Sequence, residues 1–238
     1  MAFNISWDEV GEHYYETGVD RGVLYPYDES NEQTPYSPAV PWNGLTAVNE
    51  SPSGAESNDL YADNIKYLSL RSAETFGATV EAYTYPDEFA ECDGSAEIIT
   101  GVTVSQQARK SFGLSYRTRK GSDTNEELGH IIHLVYGATA SPSEKSRTTV
   151  NDSPEAVQFS WEMSTIPVEV EVTGATTEYR KTSHLQVDTT KLNETQITAI
   201  ENALYGSGET PGYLPMPGEV YDIISGATGE TGETGQTN

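Results

Sequence analysis

From about Leu60 onward, the chain is dominated by short runs in which apolar and polar positions alternate. In 78–85, "ATVEAYTY", Val80, Ala82 and Thr84 alternate with Glu81, Tyr83 and Tyr85. A period of two places one set on each face of a β-strand. "KSFGLSYRT" sets Phe112, Leu114 and Tyr116 against Ser111, Gly113 and Ser115. "VQFSWEMS" sets Val157, Phe159, Trp161 and Met163 against Gln158, Ser160 and Glu162, and "PVEVEVTG" sets Val168, Val170 and Val172 against Glu169 and Glu171. "HIIHLVYG" is apolar on both faces, as a central strand requires. "KGSDTNEELG" and "ASPSEKS" supply turns between such runs. The expected class is mainly β with minor α, a β-sandwich or barrel-like core.

One helix is expected over about 193–205, "NETQITAIENALYG". Asn193 stands at the N-cap with Gln196 three residues on, Ile197, Ile200 and Leu204 form a stripe, and Gly206 follows as a C-terminal stop. Segments 72–78 and 87–93 are each expected to add a turn of helix. Residues 1–59 read as an irregular N-terminal segment with an extended arm, because "YPYDESNEQTPYSPAVPWNGLTAVNESPSGAES" is rich in Pro, Ser, Asn and Glu and lacks a sustained period. That arm carries Tyr25, Tyr27, Tyr36, Trp42 and Leu45. A long loop with aromatic anchors lies against something, its own domain or a neighbouring subunit, and both remain open. Residues 60–224 form the expected β core with its helix. "GATGETGETGQTN" repeats Gly every third residue but has no Pro in the repeat, so 225–238 is expected to be a flexible tail.

Composition narrows the functional classes. The 37 Asp and Glu against 13 Lys and Arg leave a net charge of −24, which disfavours binding to phosphate backbones. Such a charge favours solubility, and it also suits a surface that another polyanion must pass without sticking. One cysteine, Cys92, permits no intramolecular disulfide, as expected of a protein made in a reducing cytoplasm. "MAFNISWDEVGEHYYE" has neither a basic nor an apolar region of a secretory signal, and no apolar run approaches the roughly 20 residues of a membrane helix.

The chemistry-bearing residues do not assemble into a recognisable motif. His130 and His133 are three apart in a strand context and so point to opposite faces; His13 and His184 have no evident partner. Asp59 and Asp63 in "DLYADN" lack the ligand pattern of a calcium loop. In "TYPDEFAECDGSAE", Asp87, Glu88, Glu91 and Asp93 surround Cys92. Neighbouring carboxylates raise a thiol pKa, so a structural Cys92 on a short acidic helix is expected rather than a nucleophile. No catalytic, metal or cofactor residues are assigned. A carboxylate-dependent hydrolase using two of these four acids is the enzymatic alternative and requires one acid in an apolar pocket.

Longer phrases carry a resemblance. "VGEHYYETGVDRGVLYP", "VPWNGLTAVNESPSGAES", "LYADNIKYLSLRSAETFGATVEAYTYPDEFAECDGS" and "HLVYGATASPSEKSRTTVNDSPEAVQFSWEMSTIPVEV", followed by the late helix, resemble the major tail proteins of long-tailed phages of Gram-positive hosts. The resemblance spans Trp7 to Ile224. It implies a tail tube subunit that lends strands to a shared inner β-barrel and assembles as stacked hexameric rings around a channel for the genome. It further implies assembly in the host cytoplasm with a tape measure protein, a tail-tip initiator and a tail terminator, and location in the virion tail. The five anchors of the arm are then candidates for inter-subunit stacking. Glu81, Glu162, Glu169 and Glu171, on polar faces of expected strands, are candidates for the channel wall or the outer surface. Another self-assembling virion or surface β-protein is the structural alternative.

Overall fold

The computed structural model describes residues 6–31, 33–147, 149, 156–172 and 178–227. Its strands are β1 (Tyr14–Pro26), β2 (Val40–Trp42), β3 (Leu45–Glu50), β4 (Ser53–Gly54), β5 (Ser57–Ala62), β6 (Ile65–Arg71), β7 (Glu74–Thr75) and β8 (Gly77–Ala82). After a short helix α1 (Phe89–Cys92) come β9 (Ser95–Ile99), β10 (Val102–Ser105), β11 (Phe112–Ser122), β12 (Gly129–Ala140), β13 (Phe159–Thr165) and β14 (His184–Asp188). Helices α2 (Glu194–Tyr205) and α3 (Pro217–Gly226) close the described chain. The protein is mainly β, as the alternation predicts.

The main sheet is antiparallel and runs β2-β1-β11-β12-β13-β8-β3, with β14 added to β12. Among the described residues it is open: β2 and β3 lie at its two ends, and no ladder joins them. Its strands bury residues on both faces. One face gathers Leu24, Trp42, Val80, Phe89, Phe112, Leu114, Val135, Trp161 and Met163. Aromatic rings meet there at preferred tilted and edge-on angles, Trp42 with Phe89 at 4.5 Å and Phe89 with Trp161 at 5.2 Å. The other face gathers Tyr25, Ile132, Leu134, Tyr136 and Val187 beneath Ile200 and Leu204 of α2 and Val220 of α3. This explains why "HIIHLVYG" lacks alternation: β12 is covered twice. Gly137, at φ 61°, makes the bulge that keeps Ala138 and Ala140 on the same face as Val135. A Cβ at Gly137 would lie 2.3 Å from the Ile166 carbonyl oxygen.

Several local expectations need correction. Residues 1–59 are not one irregular arm: β1, β2 and β3 are strands of the main sheet. The register of β1 against β11 shifts between Thr17 and Asp20 and again between Asp20 and Val23, and Arg21 has φ 48°. These irregularities erase the period of two from the sequence. Segment 72–78 is extended, containing β7 and the start of β8, not helical. In 167–172, "PVEVEV" forms, among the described residues, only the isolated bridge Val168–Thr182, and Val170 and Val172 line a groove with Val220, Tyr221 and Ile224 of α3. α3 is a helix beyond the one that the sequence pattern predicts; Pro217 at its first turn marks its start. The Gly-Thr tail lies outside the described residues from 228 on.

Candidate functional site

The feature that distinguishes this surface is a long antiparallel ribbon. β3 pairs with β8 inside the main sheet, β4 with β7 beyond it, and β5 with β6 farther still. The tip turns at Asp63 and Asn64, both at positive φ (52° and 62°), which matches the tight hairpin turn that Asn and Asp tolerate. Lys66 and Ser69 bind Asp59 at 2.8 and 2.7 Å, so the oxygen-rich "DLYADN" is hairpin structure. β5 and β6 pair with each other and with no other strand among the described residues. Yet Tyr61 and Tyr67 are 70% exposed and Ile65 64% exposed, with Leu60, Leu68 and Leu70 beside them. Apolar side chains grouped on a projecting element mark an interaction surface.

The expected arm anchors are elsewhere. Tyr25, Tyr36 and Trp42 are buried in the subunit's own core, and Tyr27 and Leu45 pack against it. The Tyr25 hydroxyl donates to the Leu204 carbonyl at 3.0 Å, the Gly137 amide donates to Tyr36 Oη at 3.1 Å, and Trp42 Nε1–H donates to the Thr84 carbonyl at 2.9 Å. These polar handles are satisfied within the chain, which leaves the rings no free face to offer a neighbour. Of the candidate acids, Glu81 and Glu162 share the outer, polar face of β8 and β13 with Thr79 and Ser160. Gln158 and Asn49 donate to the Glu81 carboxylate at 2.8 and 3.3 Å. Glu169 and Glu171 lie outside β8 and β13: Glu171 passes beside α3 at Gly218, and Glu169 pairs with Lys181 at 2.6 Å.

The acidic cluster around Cys92 is occupied by cations. Asp93, with a buried side chain, pairs with Lys145 and with Arg109 at 3.6 Å, and Glu91 pairs with Lys110 at 3.1 Å. Burial, and then the Glu91 and Asp93 charges, push the Cys92 thiol up to about 12. Cys92 is therefore a core residue, as expected, and Glu91 and Asp93 are paired with cations rather than with one another.

A second cluster escaped sequence reasoning. His184 on β14 and His133 on β12 lie on paired strands, offset by two positions, and Glu50 ends β3 at the root of the ribbon. His133 Nδ1 is 3.2 Å from His184 Nε2 and 3.4 Å from Glu50 Oε1. Tyr116 donates its hydroxyl to Glu50 Oε1 at 2.7 Å and stacks flat on the His133 ring. The Thr118 hydroxyl donates to Glu16 at 3.2 Å, which leaves its oxygen to accept from His133 Nε2–H at 3.1 Å. His133 Nδ1 then carries a lone pair towards the cluster. Burial lowers the pKa of both histidines, and Glu50 opposes that shift; His184 falls to about 4. Both imidazoles are neutral at pH 7. The His130–His133 spacing gave no hint of this pairing, because the contact is made across strands rather than along one.

No protein family model and no curated protein matches the chain. Among solved structures, the chain is similar to one described as the sheath-tube complex, in its extended state, of an extracellular contractile injection system, PVC. The identity is 16%, the match covers 61% of this chain and 84% of the other, and the TM-score is 0.28. A TM-score that low gives the match no weight on fold or function.

Proposed function

We propose that this protein is the structural subunit of a phage tail tube, assembling as stacked hexameric rings around a channel for genome ejection. The observation that carries the reading is the projecting β5–β6 hairpin, whose exposed Tyr61, Ile65, Tyr67 and Leu70 have no cover among the described residues. A ribbon rooted in the sheet and apolar at its far end is suited to reach a neighbouring subunit. Head-to-tail contact of that kind builds an open stack that grows until capped. The resemblance of the sequence phrases to major tail proteins supports the same reading. So does charge: the uncovered polar face bearing Glu81 and Glu162 suits a wall that repels phosphate, in a chain of net charge −24. In this reading the inter-subunit arm is the ribbon at 53–75. The tape measure protein, tail-tip initiator and tail terminator are the partners that the resemblance implies.

Negative-stain electron microscopy of the full chain, with and without Tyr61→Ser, Ile65→Ser and Tyr67→Ser combined, tests the proposal. The unaltered chain forms rings or tubes with an axial channel, while the variant keeps its β circular dichroism and stays as free subunits. A unaltered chain that remains monomeric at every concentration, or a variant that builds normal tubes, overturns it.

A further inference from the structure

We propose that Glu50, His133 and His184 bind one divalent transition-metal ion of the zinc class, tying the root of the ribbon to the central sheet. The three residues each offer a ligand atom, and those atoms all lie within 4.8 Å of one another. The separations of 3.2 Å from His133 Nδ1 to His184 Nε2 and 3.4 Å from His133 Nδ1 to Glu50 Oε1 match two edges of a tetrahedron. With metal–ligand bonds of about 2.0–2.1 Å, that edge is about 3.3–3.4 Å. Two imidazoles and one carboxylate suit zinc, cobalt or nickel rather than calcium or magnesium, which favour oxygen. Three protein ligands leave a fourth position for water.

The surroundings are those that orient metal ligands. Thr118 accepts from His133 Nε2–H, and this fixes the tautomer whose Nδ1 lone pair faces the cluster. The Tyr116 hydroxyl donates to Glu50 Oε1 and holds in place the oxygen that lies 3.4 Å from His133 Nδ1, whose second lone pair remains for the ion, and Tyr116 and Phe76 stack on the rings of His133 and His184 respectively. The histidine rings are nearly parallel, 8° apart, and edge to edge, so His184 Nε2–H donates to His133 Nδ1 when no ion is bound. Metal binding replaces that hydrogen bond: His184 moves its proton to Nδ1, 4.0 Å from Glu50 Oε2, and tilts its ring to present Nε2. Glu50 is the most exposed of the three and provides the entry side.

The ion's consequence is mechanical. Glu50 is the last residue of β3, where the chain leaves the main sheet for the ribbon, whereas His133 and His184 belong to strands across the core. A bond between them fixes the direction in which the ribbon projects. This inference stands on the side-chain geometry and does not depend on the tube reading.

Isothermal titration of Zn²⁺ into the full chain, stripped with chelator and then desalted, tests it. One saturable site per chain is expected, and Glu50→Gln and His184→Gln each abolish it. Tyr116→Phe keeps the ligands but weakens binding by about 10–100-fold. His13→Ala, which alters an exposed histidine beside Asp8 and Asp123, leaves the site intact. A readout on the unaltered chain covers variants that fail to fold: histidine ring resonances of His133 and His184 shift with Zn²⁺, while those of His13 and His130 stay. Absence of saturable binding, equal binding in both ligand variants, or shifts confined to His13 overturns the proposal.

Discussion

Gly218 lies where the Glu171 carbonyl oxygen crosses the first turn of α3, and a Cβ there would stand 1.8 Å from that oxygen. Backbone must move to make room. Overpacking of this kind costs about 1–3 kcal/mol or more, against a helix-propensity gain below about 1 kcal/mol. Gly218→Ala therefore lowers stability, seen as a lower urea midpoint. Asp20 gives a pH signature. Arg117 donates to its carboxylate from Nε at 2.7 Å and from Nη2 at 3.0 Å, and this hydrogen bonding holds the Asp20 pKa below its ordinary value despite partial burial. A depressed folded-state pKa contributes stability above the unfolded value of about 3.9 and loses it as the pH falls through the folded one. Asp20→Asn flattens the decline of the urea midpoint below about pH 4, modestly, since the carboxylate is half-exposed. Cys92 was legible from sequence in its inertness but not in its depth: iodoacetamide at about pH 8 leaves it unmodified in the folded protein and alkylates it in urea, as mass spectrometry will report.

Among the elements, α2 was the most readable because its ends are encoded locally. Gln196 N–H donates to Asn193 Oδ1 at 2.9 Å, and Asn193 N–H donates to Gln196 Oε1 at 3.0 Å, closing the capping box. Asn193→Ala loses about 1 kcal/mol, measured by thermal or urea denaturation. Strands β8, β11, β12 and β13 were equally plain, since a buried face imposes period two and double burial a continuous apolar run. The rest failed for physical reasons. β1 hides behind two register shifts, and "PVEVEV" has the alternation but, among the described residues, only an isolated bridge beside it. Glu50 and His184 are separated by more than a hundred positions, so their meeting depends on tertiary topology and leaves no trace in spacing. The proline-rich sequence at 26–56 supplies core strands and the buried Tyr36 and Trp42 rather than an arm, and the projecting part is the hairpin further on.

For the whole molecule, a net charge of −24 opposes any self-association. Screening shortens to about 10 Å at 0.1 M salt, so added salt relieves repulsion between subunits more than it weakens the apolar contacts proposed for the hairpin tip. Assembly of the full chain should therefore begin at lower protein concentration as sodium chloride rises, followed by light scattering with microscopy of the same samples. Assembly favoured by low salt would point instead to ion-paired contacts. The hairpin tip has a kinetic consequence as well. A ribbon of two strands without a packed face is marginally ordered by itself in water. If a neighbour completes it, the first contacts bear the entropy of fixing the tip before they gain its burial, and later additions meet a tip already presented by the growing end. The proposed tube would then show a lag and a threshold concentration, with free subunits persisting until a seed presents the first ordered surface.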